Sequence, residues 1–209
     1  MQILLLAATE QEIGPFTEAN AGIDVLVSGV GLPATMYHLQ KRMQQLDYDL
    51  IIQAGIAGSF NREIELGQTV WVSQDTFGDL GTEEKENFSS IFDMGLAEKN
   101  EFPFTDGWLV NNSEFTKKIN LNPVTAVTVN KVTDSKLQEQ QIIKRFDPGI
   151  ESMEGAALHY VCLQENIPFV QVRGVSNFVG ERDKSKWKIK ETIVNLNKEL
   201  LKLINALIP

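Results

Sequence analysis

The stretch from Glu151 to Asn177 constrains the fold of this chain most, because it predicts a helix that runs directly into a buried strand. The segment EGAALHYVC has apolar residues at helical spacing, and PFVQVRGVS is typical of a buried strand. Polar side chains stand at both ends of this unit: Glu151, Ser152 and Glu154 where the helix begins, and Arg173, Ser176 and Asn177 where the strand ends. Ligands of open α/β sheets bind at the carboxyl ends of strands, and helix N-termini favour anions. We therefore expect both ends to face one pocket.

Strands and helices alternate along the rest of the chain. Apolar runs predict strands at residues 3–8, 23–28, 49–53, 69–73 and 124–129, and helical patterns cover residues 136–146 and 189–207. Buried strands alternating with helices indicate a doubly wound α/β fold. We predict a single three-layer domain over residues 1–209, with a central mixed, mostly parallel sheet.

Composition excludes several classes of function. The formal net charge of -9 argues against a nucleic-acid partner, since binding to phosphates needs clustered Lys and Arg. The single cysteine, Cys162, lies in an apolar helical pattern and predicts an inert core thiol in a reducing compartment. The N-terminus has no basic region of a signal peptide, and no apolar run approaches the roughly 20 residues of a membrane span. We expect a cytoplasmic protein with no membrane partner.

Each early strand runs into a loop that could serve a ligand. Glu10 and Glu12 follow the first strand, where charges in the first turn of a helix are also favoured without any function. The Gly-Val-Gly turn after the second strand is weak evidence for a dinucleotide site, because the third glycine of that motif is missing. In the segment AGIAG, Gly55, Ala57 and Gly58 predict a loop that either lets a ligand approach the backbone or forms a plain tight turn.

Residues 82–112 show no clear period and mix charges, glycines and aromatic side chains. A long irregular segment in a compact domain is usually functional. We interpret it as either a lid or a subunit contact, and the sequence leaves both open.

Several motifs in one order now resemble a known group of enzymes. TEQE, SGVG, QAGIAG, SMEGAALHYVC and VRGVSN are similar to the nucleoside phosphorylase and nucleosidase superfamily over essentially the whole chain, least between residues 82 and 112. The segments AGIAGSF, GDLG, TVNKVT and SNFVGERDKSKW most resemble the futalosine hydrolases of that superfamily. The resemblance implies a nucleosidase that removes hypoxanthine from futalosine in menaquinone biosynthesis, with no cofactor and no metal.

The resemblance also implies roles for individual residues. Glu12 would activate water, Glu154 would bind the ribose hydroxyls, and Met153 would pack against the sugar. Asn177 would hold a 6-oxopurine, because the amide nitrogen donates to a carbonyl oxygen and the amide oxygen accepts a hydrogen bond from a protonated N7. Further residues implied in the site are Val132 and Lys131 beside the base, Gly55, Ile56 and Ala57 near the water, and Arg173 and Ser176 in support. The candidates for binding the substrate benzoate are Arg182, Lys131, Lys184 and Lys186, and Arg182 is favoured because it lies in the turn after Asn177.

Alternatives within and outside this class remain at the level of sequence. Phosphorylases of the superfamily carry an arginine on the strand where this chain has Gln53 and Ala54, so water is the expected nucleophile. A methylthioadenosine/S-adenosylhomocysteine nucleosidase is the second enzyme interpretation, and Asn177 counts against it. A noncatalytic nucleoside-binding protein would have lost Glu12 or Glu154. Relatives in this branch imply a homodimer or higher homo-oligomer, whose neighbouring subunit contributes to the 5′ end of the site.

Overall fold

A computed structural model of the chain describes residues 1–19, 22–85 and 87–207. Residues 20, 21, 86, 208 and 209, which the predicted domain also includes, lie outside the described residues. The strands are β1 (Ile3–Ala7), β2 (Asp24–Val27), β3 (Leu50–Ser59), β4 (Thr69–Phe77), β5 (Gly81–Glu84), β6 (Asn87–Ser90), β7 (Leu109–Val110), β8 (Asn122–Thr128), β9 (Ile150–Ser152) and β10 (Phe169–Phe178). The α-helices are α1 (Glu10–Ala19), α2 (Leu32–Met43), α3 (Lys136–Phe146), α4 (Gly155–Gln164) and α5 (Ile189–Leu207).

The main sheet is mixed and mostly parallel, as predicted. β1 pairs in parallel with β2 and β3, and β3 pairs in parallel with β10. Strand β10 then runs antiparallel to β4, β4 parallel to β8, β8 parallel to β9, and β9 antiparallel to the last residues of β3. Strands β3, β10, β4, β8 and β9 therefore close into a ring, and β1 and β2 extend from its side.

Helices cover the sheet on two faces, which gives the three layers. Alternate residues of β1 and β3 point to opposite faces because side chains alternate along a strand. One face packs against α1, through Ile13 and Phe16, and against α5, through a stripe of leucines formed by Leu196, Leu200, Leu203 and Leu207. The other face packs against α2 and α4, through Leu39, Leu158 and the buried Cys162. Burial raises the pKa of the Cys162 thiol, which makes it unreactive.

The bounds of α3 and α5 match the predicted helices at residues 136–146 and 189–207. The predicted loop at AGIAG is wrong, because β3 continues through these residues to Ser59. Small residues suit this part of the strand for a steric reason: a Cβ at Gly55 would lie 2.3 Å from the Arg173 guanidinium. Strand β4 likewise continues beyond the predicted end at residue 73 to Phe77.

The irregular segment at residues 82–112 begins within the β5–β6 hairpin and ends just beyond β7, which pairs with β4. Its aromatic side chains join it to the main fold: Phe92 packs edge-to-face against Phe104, and Phe104 packs on Phe77 and Tyr160. Met94, Leu96 and Phe102 of the same segment are exposed. Among the described helices, none combines the length and apolar character needed to cross a membrane.

Candidate active site

A cavity of about 370 Å³ opens where β1, β3 and β10 end. It brings together most of the residues singled out from the sequence: Glu12, Ile56, Ala57, Val132, Met153, Glu154, Ser176, Asn177 and Arg182. Gly55 and Arg173 lie behind its wall, and Lys131 borders a neighbouring cavity of about 430 Å³ between α3 and the β5–β6 hairpin. Thr133 lines both cavities.

Glu154 is held in the cavity wall by groups from two other elements. Its Oε1 accepts a hydrogen bond of 3.0 Å from the N–H of Gly31, in the glycine turn before α2. Gly31 has φ of +92°, a conformation that favours glycine. The Arg173 guanidinium lies 3.6 Å from the other carboxylate oxygen. Glu154 is buried, so its charge is presented at one defined place.

The first turn of α4 leaves the Glu154 side chain available, although Glu154 occupies the N-cap position. The N–H of Gly155 donates to Ser152 Oγ, and the N–H of Ala156 donates to Thr128 Oγ1. The Ala156 N–H is one that the side chain of a cap residue commonly serves, and here the Thr128 hydroxyl satisfies it instead. The carboxylate can therefore face a ligand.

Glu12 is fixed by the turn that ends β1 and by β3. Its Oε2 accepts from both the N–H and the hydroxyl of Thr9, and the bond from the N–H is the half of a capping box that the glutamate supplies at the start of α1. Its Oε1 accepts a 3.0 Å bond from the N–H of Ile56. A carboxylate oxygen has two lone pairs, so Oε1 keeps one position for a further donor such as water.

Asn177 lies near the end of β10 with its amide oriented by its neighbours. Ser176 Oγ donates to Asn177 Oδ1 over 2.9 Å, and Asn177 Nδ2 donates to the carbonyl of Phe178 over 3.0 Å. Each amide atom uses one of its two bonding positions in these contacts. The amide can therefore both donate to and accept from a ligand in the cavity.

Arg173 is buried behind the cavity and is held by two glutamines from adjacent strands. Its Nη2 donates to Gln53 Oε1 over 2.8 Å, and its Nε lies 3.1 Å from the Gln171 amide oxygen. Gln171 and Gln53 are direct partners in the β10–β3 register, as are Arg173 and Gly55. The absence of a side chain at Gly55 leaves the space that the guanidinium occupies.

A second layer of buried polar groups sets the orientation of the Gln171 amide. His159 Nδ1 donates to the carbonyl of Leu109, so His159 Nε2 is an acceptor and takes a 2.8 Å bond from the Gln171 amide nitrogen. Burial lowers the pKa of His159 to about 4, which keeps the ring neutral in this arrangement. The amide oxygen of Gln171 must then face Arg173.

Asp75 completes this layer. Burial raises its pKa to about 7, although hydrogen bonds from Thr128 and Thr76 favour the charged form. The Gln171 amide nitrogen lies 3.2 Å from its Oδ2. Asp75 and Gln171 are not among the residues predicted for the site, and Gln53 enters there only as the residue on the strand where phosphorylases carry an arginine. All three are polar residues inside otherwise apolar strands, which is the signal in the sequence that could have identified them.

This fold and site define the class of the protein. The sequence model of the Phosphorylase superfamily matches residues 7–209, and the chain belongs to that superfamily. Its solved relatives share the fold: a methylthioadenosine/S-adenosylhomocysteine nucleosidase from Neisseria meningitidis, in complex with methylthio-immucillin-A, has a TM-score of 0.83 at 17% identity, over 99% of this chain and 100% of that one.

Sequence relatives narrow the class to hydrolases. Futalosine hydrolase from Streptomyces coelicolor is 30% identical over 192 residues, covering 89% of this chain and 80% of that protein. Futalosine hydrolase from Thermus thermophilus is 26% identical over 216 residues, covering 96% and 94%. The chain is accordingly an enzyme, an N-glycosidic hydrolase of the nucleosidase type.

Proposed function

We propose that this nucleosidase hydrolyses the N-glycosidic bond of futalosine and releases hypoxanthine, as a step of menaquinone biosynthesis. The observation that carries the proposal is the Asn177 amide in one cavity with Glu12 and Glu154. An amide matches the carbonyl and N7 of a 6-oxopurine, whereas a carboxylate would suit the exocyclic amine of adenine. The two sequence relatives described above carry the same activity in their names.

Glu154 binds the ribose hydroxyls in this proposal. Cleavage of a purine N-glycosidic bond passes through an oxocarbenium-like transition state, so negative charge close to the sugar lowers the barrier. The Gly31 N–H and the Arg173 guanidinium hold the carboxylate before substrate binds, which reduces the reorganisation needed during reaction. Met153 packs against the sugar face.

Glu12 takes a proton from the attacking water. The Ile56 N–H donates to Oε1, the oxygen whose second lone pair is open to the water. Glu12, the general base, is therefore positioned by the backbone rather than by a mobile side chain. Ile56 and Ala57 form the wall next to this water. N7 of the departing base takes a proton from solvent. Asn177 Oδ1 then accepts a hydrogen bond from this N7–H, and Asn177 Nδ2 donates to O6, with Val132 beside the base.

Water rather than phosphate is the nucleophile. The cavity wall carries four carboxylates, which would repel a phosphate dianion: Glu12, Glu151, Glu154 and Glu181. Arg173 is engaged by Gln53, Gln171 and Glu154 behind the wall. Within the part of the chain that the structure describes, Arg182 is the one Lys or Arg side chain lining the cavity.

The direct test is purine release, measured by chromatography, from futalosine, aminodeoxyfutalosine, inosine and methylthioadenosine in phosphate-free buffer. We expect hypoxanthine from futalosine at the highest rate and little adenine from methylthioadenosine. Preferential cleavage of methylthioadenosine would favour the methylthioadenosine/S-adenosylhomocysteine nucleosidase alternative. A requirement for added phosphate would overturn hydrolysis.

Arg182 is proposed to bind the benzoate of futalosine. Replacing Arg182 by Ala should raise KM for futalosine about 10-fold, the effect of losing one partly exposed charge-assisted hydrogen bond, and should leave KM for inosine within two-fold. Steady-state kinetics with both substrates measure this difference. Lys184→Ala is the matched control, because Lys184 is exposed in the same turn and does not line the cavity. Equal changes for both substrates would remove Arg182 from this role.

A homodimer is proposed on the exposed apolar side chains Met94, Leu96 and Phe102. Leu96 is 70% exposed and lies on a segment that packs toward the α4 side of the sheet. We expect light scattering to give twice the chain mass of 23.4 kDa, and Leu96→Asp to halve it. Leu201→Asp, on α5 and the opposite face, is the control. A wild-type monomer would contradict the proposal.

A further inference from the structure

Glu151 has no role in the reaction described so far, yet it lines the same cavity as Asn177. It lies on the short strand β9, where it pairs with Gly58 of β3 on one side and with Val127 of β8 on the other. Asn177 of β10 pairs with Gly58 from the opposite side. Side chains of direct cross-strand partners share a face of the sheet, so Glu151 and Asn177 flank Gly58 on that face.

Gly58, the residue between them, has no side chain, so its backbone is open to a ligand. A Cβ at Gly58 would lie 3.2 Å from Asn177 Nδ2 and 3.2 Å from Val179 Cγ2, closer than most such contacts. Glycine permits close approach of a planar group to the backbone. A base placed over Gly58 would have the Asn177 amide at one edge and the Glu151 carboxylate at another.

The Glu151 carboxylate is buried without a cation. It is 5% exposed, and its two oxygens accept from the N–H of Thr133, over 3.0 Å, and from the Thr133 hydroxyl. Among the residues that the structure describes, no Lys, Arg or His lies within ion-pair distance of it. Burial raises its pKa, with a contribution from the charge of Asp79. Each oxygen keeps a lone pair for another donor.

A 6-oxopurine supplies such a donor where adenine does not. In hypoxanthine N1 carries a hydrogen next to the carbonyl O6, whereas in adenine N1 is an acceptor next to an amine. A carboxylate would accept a hydrogen bond from the first and repel the lone pair of the second. With Asn177 donating to O6, the two side chains would recognise adjacent groups of one base.

We propose that Glu151 accepts the N1–H of the 6-oxopurine and so determines base specificity together with Asn177. This inference rests on the proposed function, since it assigns the second base-recognising group of the same site. Thr133 then has a supporting role, because its two hydrogen bonds orient the carboxylate.

The variant Glu151→Gln separates recognition of the purine base from the hydrogen bonds that hold the loop containing Thr133. The amide oxygen can still accept from the Thr133 N–H, and the amide nitrogen can donate to the Thr133 hydroxyl, so the loop stays held. The charge that accepts N1–H is lost. The assay compares futalosine, which carries hypoxanthine, with aminodeoxyfutalosine, which carries adenine. We expect the ratio of their kcat/KM values to fall about 10- to 100-fold in favour of the adenine substrate, as for loss of a hydrogen bond to a charged group.

Thr133→Val is the matched control, because it removes the hydroxyl and leaves the carboxylate. Since the Thr133 N–H still holds the carboxylate, the ratio of kcat/KM values should shift less than in Glu151→Gln. An unchanged ratio of kcat/KM values in Glu151→Gln would overturn the inference. Glu151 would then serve only to hold the loop that contains Thr133. If Glu151→Gln does not fold, Glu151→Met fills a similar volume without a polar group and must shift the ratio in the same direction.

Failure of the proposed function gives a different result. If the wild-type enzyme cleaves neither substrate, calorimetric binding of free hypoxanthine and adenine tests Glu151 directly. The wild type should prefer hypoxanthine, and Glu151→Gln should lose that preference about 10-fold or more. Equal preference in both proteins would overturn the role of Glu151 independently of catalysis.

Discussion

Replacing Glu12 by Gln should lower kcat for futalosine hydrolysis about 1000-fold, within the range that general base catalysis contributes, and should leave KM within a few-fold. The amide cannot take a proton from water, but it keeps the size of the carboxylate. Glutamine is also accepted at this position of a capping box, so the start of α1 should persist. Single-turnover hypoxanthine release measures the chemical step.

The control for this variant is Glu10→Gln, which changes an exposed carboxylate in the same helical turn. Its kcat should match the wild type. The melting temperature of Glu12→Gln should fall by only a few degrees, since one of the bonds from Thr9 or Ile56 meets an amide N–H instead of an oxygen. A kcat within five-fold of the wild type in a folded Glu12→Gln protein would show that another group activates the water.

Replacing Asn177 by Asp should reverse the base preference, with a loss of about 100-fold or more for futalosine relative to aminodeoxyfutalosine. The carboxylate has no N–H to donate to O6, and its own lone pairs would repel those of that oxygen. A site whose polar groups lose their hydrogen-bond partner in this way binds the mismatched base much more weakly. It would accept from the exocyclic amine of adenine. Competition between the two substrates in one reaction gives the ratio of kcat/KM values directly.

Local structure around Asn177 provides the comparison. The Asp variant keeps the bond from Ser176 Oγ and loses the one to the Phe178 carbonyl. Ser176→Ala removes the support and keeps the amide, so it should lower kcat/KM for both substrates equally. If Asn177→Asp left the base preference unchanged, the amide would not select the base, and hypoxanthine as product would lose its main support.

Much of the fold could be predicted because its signals are local. The stripe of leucines in α5 and the charged pattern of α3 predict helices whose bounds the structure confirms. Continuous apolar runs identify β1 and the first half of β3, since strands buried on both faces need no alternation. The order of motifs from TEQE to VRGVSN indicates the superfamily, and the match of the superfamily's sequence model to residues 7–209 confirms it.

The second half of β3 and all of β9 could not be predicted in the same way. The segment AGIAGS is composed of small residues that suggest a turn, but it is a strand because it pairs with β10. Its glycines have a separate reason: the side chains of Arg173 and Asn177 occupy the space beside Gly55 and Gly58. Strand β9 has three residues, too few for a period, and forms only by pairing with β3 and β8.

The alternating elements, the superfamily and the polar residues at strand ends can be predicted from the amino-acid sequence, because propensity and periodicity act between residues close in the chain. Two features of the site follow only from the folded chain: Glu154 meets Gly31 and Arg173, and Glu151 and Asn177 flank Gly58. These pairs are distant in sequence. Their contacts follow from closing the ring of strands, where register sets which side chains share a face.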